Sequence, residues 1–161
     1  MKRVTVILVI AVLSLAFVSG GNIGKAFPSV KFKNLEGVEQ KIAKDKPVII
    51  SFWSTTCIPC IKELNAINGK YDAWKKTAKF EVYAVSTDDE RFAARVPLIA
   101  QKKGWKFPVL TDQQKAAFKA LNVTNNPYTV VLDKNGKIVY EHASYVEGDE
   151  EVLIQKIKSL Q

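Results

Sequence analysis

The run Val48-Ile49-Ile50-Ser51-Phe52-Trp53, opened by Pro47, constrains this chain more than any other stretch. Six residues with a single polar side chain among them do not alternate, so the strand they predict must be covered on both faces. Such a strand belongs in the middle of a sheet with a layer on either side. After three further residues comes Cys57-Ile58-Pro59-Cys60. Behind it Ile61, Leu64, Ile67, Tyr71 and Trp74 recur at three- and four-residue steps, which predicts a helix from about Pro59 to Lys76. The two cysteines therefore fall where a buried strand gives way to a helix.

The rest of the chain continues the pattern. Val30-Lys31-Phe32 and Val38 to Ile42 flank Asn34-Leu35-Glu36-Gly37 as a short hairpin. Phe80 to Ser86 is a second buried strand, and Thr87-Asp88-Asp89-Glu90 offers caps and acids for a helix running to about Lys103, with Gly104 as its stop. Phe107 to Leu110 is a short strand, and Asp112 is placed to cap a helix over Gln113 to Leu121. Tyr128 to Leu132 and Lys137 to Glu141 pair around Asp133-Lys134-Asn135-Gly136, and a last helix covers about Glu150 to Leu160. This order predicts an α/β fold of three layers, a mixed sheet flanked by helices. No composition break interrupts residues 22–161, so the expected organisation is a leader over residues 1–20 and one domain over residues 21–161.

The leader is predicted from Lys2 and Arg3 followed by the apolar run Val4 to Val18, broken only by Thr5 and Ser14. As a helix the run spans roughly 22 Å, short against a hydrocarbon core of about 30 Å. Val18-Ser19-Gly20 supplies the small residues of a secretory cleavage point after Gly20. A signal left uncleaved would tether the same domain to a membrane. A lipoprotein signal is excluded, because no Cys precedes Cys57.

Composition narrows the chemistry. The 161 residues are 47% hydrophobic and 25% charged, as in a globular protein and unlike a disordered or fibrous chain. The net charge is +8, or +6 without Lys2 and Arg3, but the lysines are scattered among apolar residues with no recognition motif. Nucleic acid is therefore not an expected partner. One His and two Cys cannot by themselves complete a structural zinc site, and no metal or other cofactor is expected.

The cysteine spacing has its own consequences. Both sulfurs fall on the first helical turn, within reach of each other. The first lies at the helix N-terminus, where free N–H groups and the macrodipole favour a thiolate, the attacking species in disulfide exchange. Cys57 is thus the candidate nucleophile, and Cys60, one turn deeper, the candidate resolving thiol. Pro59 suits the first turn, where its missing N–H costs nothing. Residue 61 is Ile rather than the His of a c-type haem site, and no second Cys pair exists for a zinc ribbon. A purely structural bridge over so short a loop would constrain the unfolded chain little.

Phe52 to Cys60 resembles the active-site stretch of thioredoxin-fold proteins, and more closely that of extracytoplasmic thiol-disulfide oxidoreductases of the TlpA/ResA-like family. The resemblance covers nearly all of residues 26–160. Ala26 to Val30 is similar to the family's leading segment, Asn34 to Gly37 to its first hairpin, and Ala84 to Asp88 to its second core strand. Asn126 to Asp133 is similar to the segment carrying its cis-proline. The resemblance implies a thioredoxin-like fold with an N-terminal hairpin extension, acting as a monomer. It also implies a reductase of protein disulfides, for instance in cytochrome c maturation, with a disulfide-containing protein as substrate and an upstream thiol donor. By the same resemblance Pro127 is cis and docks substrate, Trp53, Thr56, Ile58, Pro59 and Asn126 meet the substrate chain, and Glu63 matches a family acid that transfers a proton. As an ordinary helix residue Glu63 would instead face solvent.

Three positions depart from the family pattern: Thr56 stands where Trp is common, Ser51 where thioredoxins bury an Asp, and Asn65 where a Pro kinks the helix. Two alternatives use the same residues differently. A peroxiredoxin-like peroxidase would match Ser54 but wants Pro where Ile50 stands. A Sco-like copper module would recruit His142, yet spaces its cysteines one residue wider.

Overall fold

The computed structural model describes residues 21–161. The predicted leader and its cleavage point after Gly20 lie outside the described residues. Among the described residues, no helix is long and apolar enough to cross a membrane.

The central strand is β3 (Val48–Trp53), every residue of which is buried. The earlier strands are β1 (Phe32–Lys33) and β2 (Glu39–Gln40). After β3 come α1 (Ile58–Thr77), β4 (Glu81–Ser86), α2 (Arg95–Lys103), β5 (Val109–Thr111), α3 (Ala116–Ala120), β6 (Tyr128–Leu132), β7 (Ile138–Ala143) and α4 (Asp149–Lys158). One seven-stranded sheet runs β2-β1-β5-β4-β3-β6-β7. β3 is parallel to β4 and antiparallel to β6, so the sheet is mixed, as its sequence pattern implies. The hairpin extension joins the sheet at its edge, through Lys33 opposite Thr111. At the far edge, residues 24–27 bond to Gly136 and Ile138 and cover the start of β7.

The two faces of β3 explain the layers. Val48, Ile50 and Phe52 pack with Phe118 of α3 and with Phe32, while Ile49 and Trp53 pack under α1, α2 and α4. Each such side chain gains about 1.5–3 kcal/mol from burial. On the second face the alternation places Ser51, not an apolar residue, beneath α1. Sheet register sets Ser51 opposite Thr129 of β6, and Thr129 opposite His142 of β7. Three polar residues thus form one cross-strand row inside an otherwise apolar layer.

Several element boundaries differ from the sequence pattern. The helix expected from Thr87–Glu90 begins at Arg95. Asp88 does not cap it but turns sideways to accept from Thr55 and Ser86, and Asp89 closes a separate turn with Phe92 and Ala93. α3 is only five residues long. Lys115 is left-handed at φ 55°, although the Asp112 carboxylate still receives the Ala116 and Ala117 N–H groups. β7 extends to Ala143 and so includes His142.

α4 starts on Gly148 (φ 104°), with Glu150 buried in its first turn. Glu150 accepts from the Tyr145 hydroxyl at 2.9 Å and the Gly148 N–H at 3.0 Å, and pairs with Lys70 at 3.3 Å. Burial alone would raise its carboxyl. Its own backbone N–H, Tyr145, Gly148 and Lys70 together outweigh burial and hold it below the ordinary glutamate value. A carboxyl lowered by folding stabilises fully above its unfolded value, near 4.5, and loses that contribution as pH falls through the folded value. Glu150→Gln should therefore cost about 1–2 kcal/mol at neutral pH, with the two proteins converging in acid. Urea unfolding at neutral pH and near pH 3 checks both limbs.

Candidate functional site

β3 ends at Trp53 and the chain turns through Ser54–Thr56 before α1 begins. Cys57 is the N-cap of α1, in extended backbone at φ −88° and ψ 96°, and its sulfur accepts the Cys60 N–H at 3.3 Å. The cap position normally filled by a hydroxyl or carboxylate oxygen is taken by sulfur. Cys57 and Cys60 are disulfide-bonded, with Cα atoms 5.3 Å apart. Cys57 is half-buried and Cys60 fully buried, so a partner molecule reaches only the first sulfur. Pro59 sits in the first turn, as its fixed φ suits.

Two tethers hold the turn. Asp88, nearly buried, accepts the Thr55 N–H at 2.8 Å, the Thr55 hydroxyl at 2.9 Å and the Ser86 hydroxyl at 2.7 Å. Asn126 donates to the Thr87 hydroxyl at 2.7 Å, which in turn donates to the Trp53 carbonyl at 3.2 Å. The loop before Cys57 and the segment before Pro127 are thereby fixed to the same end of β4. The Asn126–Pro127 bond is cis, and Pro127 is buried.

Thr56, Ile58 and Pro59 are exposed around the sulfurs, with Ile58 69% exposed. Trp53 is a correction. It is fully buried, with its ring edge-to-face against Trp105 at 4.8 Å, and it supports the site from below instead of meeting a substrate. The Asn126 side chain points inward, to Thr87; the contact that the resemblance implies for this residue runs through its backbone. Asn65, in place of the expected Pro, lies within an uninterrupted α1 and accepts the Trp105 indole N–H at 3.0 Å. A groove of about 500 Å³ opens beside the pair, lined by Ile58, Pro59, Lys62, Ala66, Tyr145 and Glu147. A second hollow of about 530 Å³, near Pro47 and Phe80, lies at the opposite end of β3 from the sulfurs.

Glu63 is not a solvent-facing helix acid. It is 0% exposed and projects from α1 onto the polar row of the sheet. One oxygen accepts from the Thr129 hydroxyl at 2.8 Å and faces His142 Nε2 at 3.0 Å, and the other accepts from the Ser51 hydroxyl at 3.4 Å. A buried carboxylate without such donors would be costly. His142 Nδ1 lies 3.3 Å from the Tyr140 hydroxyl. Burial, then the charges of Asp149 and Glu63, push the Tyr140 hydroxyl above its ordinary value, and burial with the Glu150 carboxylate does the same more strongly for Tyr145. Sequence reasoning missed Asp88 and the joint role of Ser51, Thr129 and His142. The signal was one small polar residue in each of the apolar strands β3 and β6; β7, which carries Glu141 beside His142, offered none.

Comparison with known proteins was consistent with this geometry. Residues 23–141 match the model of the AhpC/TSA family. The chain is 31% identical over 118 residues to "Thiol-disulfide oxidoreductase ResA" of Geobacillus kaustophilus, covering 72% of this chain and just under two thirds, 66%, of that protein. It is 34% identical over 121 residues to the protein of the same name in Bacillus thuringiensis, covering 74% and 68%. Among solved structures, an uncharacterized thioredoxin-like protein from Porphyromonas gingivalis superposes with a TM-score of 0.73 at 38% identity, covering 87% of this chain and 94% of that one.

Asp88 offers a direct test of the tethers. Asp88→Ala leaves the Thr55 N–H and the Ser86 hydroxyl without an acceptor and should cost about 2–3 kcal/mol of stability. Asp88→Asn, which keeps one acceptor oxygen, should recover part of the loss in the same urea titration.

Proposed function

The chain belongs to the AhpC/TSA family, in its thioredoxin-like branch of thiol-disulfide oxidoreductases, and on that premise we propose that it reduces protein disulfides outside the cytoplasm through Cys57 and Cys60. One observation carries this reading: the reachable sulfur caps a helix while its neighbour is buried directly behind it. In the reduced protein the Cys57 thiolate attacks one sulfur of a substrate disulfide. That bond breaks, one substrate sulfur leaves and takes up a proton, and a mixed disulfide forms. The Cys60 sulfur then attacks Cys57, the Cys57–substrate bond breaks, and the second substrate sulfur leaves. Two electrons pass to the substrate, and the protein is left with the Cys57–Cys60 bond seen here. An upstream thiol donor must restore the dithiol.

Several features support the particulars. Ile58 and Pro59 offer an apolar edge, and the adjoining groove a mixed polar lining with Lys62 and Glu147, to an extended chain passing the sulfur. Pro127 and Asn126 flank the same end of the sheet through Thr87. Lys2, Arg3 and the apolar run after them support export. The reductive direction rests on the family resemblance, and Glu63, on the helix face of Cys60, is proposed as the group that receives its proton.

Cys57→Ser should abolish reduction of insulin by the thiol-loaded protein, and Cys60→Ser should accumulate mixed disulfides with substrate on non-reducing gels. Full insulin reduction by Cys57→Ser would contradict the assignment. Peroxide consumption should stay at the uncatalysed level, since Ile50, deep in β3, occupies the position a peroxidase gives to proline; rapid turnover of peroxide would favour the peroxidase instead.

A further inference from the structure

Glu63 is sealed from water by its surroundings. Of the three side chains hydrogen-bonded to it, Ser51 and Thr129 are fully buried, and only His142, with a side chain 12% exposed, reaches solvent. The two hydroxyls donate hydrogen bonds but do not exchange protons near neutral pH, whereas an imidazole does. A carboxyl that accepts a proton from Cys60, three residues away on the same helix face, must pass it on before the next cycle. The geometry leaves one titratable route.

Resting on the oxidoreductase reading above, we propose that His142 is a positioning residue that holds Glu63 and exchanges its proton with solvent while Cys60 resolves the mixed disulfide. The Cys60 S–H bond breaks, and its proton passes to Glu63 and through the imidazole to water. The Cys60 sulfur forms its bond to Cys57, and the departing substrate sulfur takes a proton from water. Cross-strand pairing of His142 with Thr129 fixes the ring over the carboxylate. The Tyr140 hydroxyl, held protonated by burial and by the charges of Asp149 and Glu63, steadies the second ring nitrogen. The other titratable and charged groups around the pair are Cys60 on α1, Tyr145 after β7, and Asp149 and Lys156 on α4, with the Lys156 ammonium 5.7 Å from the Tyr140 ring.

The test separates the two chemical steps. Reduced full-length protein is mixed with the aromatic disulfide 5,5′-dithiobis(2-nitrobenzoate) and followed by stopped flow from about pH 5 to about pH 8. The first release of chromophore reports attack by Cys57, and the second reports resolution by Cys60. His142→Gln keeps a hydrogen-bond donor but cannot carry a proton. It should leave the first phase within about twofold and slow the second by about tenfold to a hundredfold at neutral pH, with a flattened pH profile. Glu63→Gln should slow the second phase too, and the double variant should be no slower than Glu63→Gln alone. Imidazole added to His142→Ala should restore part of the second phase, a recovery that a packing defect would not show.

A second phase in His142→Gln that superimposes on the parent at every pH overturns the proposal, as do losses that multiply in the double variant. If the parent protein releases chromophore only once, the oxidoreductase reading itself fails and takes the role of His142 with it.

Discussion

The Cys60 N–H points at the Cys57 sulfur across 3.3 Å, and the placement of both residues follows from that one bond. A helix N-terminus has backbone donors with no partners of their own. Here one of them is satisfied by sulfur, so the group placed to gain most from negative charge is the one that the proposed function uses as the attacking thiolate. The same turn sinks Cys60 into the apolar layer among Trp53 and Leu64, where outside molecules cannot reach it. Under the proposed function, the order of attack follows from this burial and needs no moving part.

A second constraint lies under the first. Apolar strands meet α1 from below, yet Ser51, Thr129 and His142 interrupt three neighbouring strands at one level of the sheet. Each of them alone would be a fault in a core. Together they supply donors to Glu63, which would otherwise be an uncompensated buried acid. The row is thus explained by the acid and the acid by the row. Asp88 and the Asn126–Thr87 link serve the loop in the same manner, spending buried polar groups to fix where Cys57 stands.

Much of this was legible in the sequence. The uninterrupted run from Val48 to Trp53 announced a central strand, and the three- and four-residue steps after Cys60 announced the helix. The cysteine spacing alone located the chemistry. What escaped was long-range pairing. Nothing local in Ser51, Thr129 or His142 says that sheet register will align them, because that depends on which strands become neighbours. Asp88 misled for a related reason: an acid ahead of a helical stretch reads as a cap, and its partner Thr55 is 33 residues away in the chain. Trp53 misled through its likeness to substrate-facing aromatics, although its position in a two-sided apolar run already argued for burial.

In the reduced protein, the helix N-terminus should favour the Cys57 thiolate while leaving its sulfur reachable. Alkylation of the reduced protein by iodoacetamide at neutral pH, with the modified residue identified by mass, reads both properties at once. Cys57 should react at least about tenfold faster than a free cysteine, whose thiol ionises near 8.5, while Cys60 stays unmodified. Equal rates for Cys57 and free cysteine, or preferential labelling of Cys60, would contradict it.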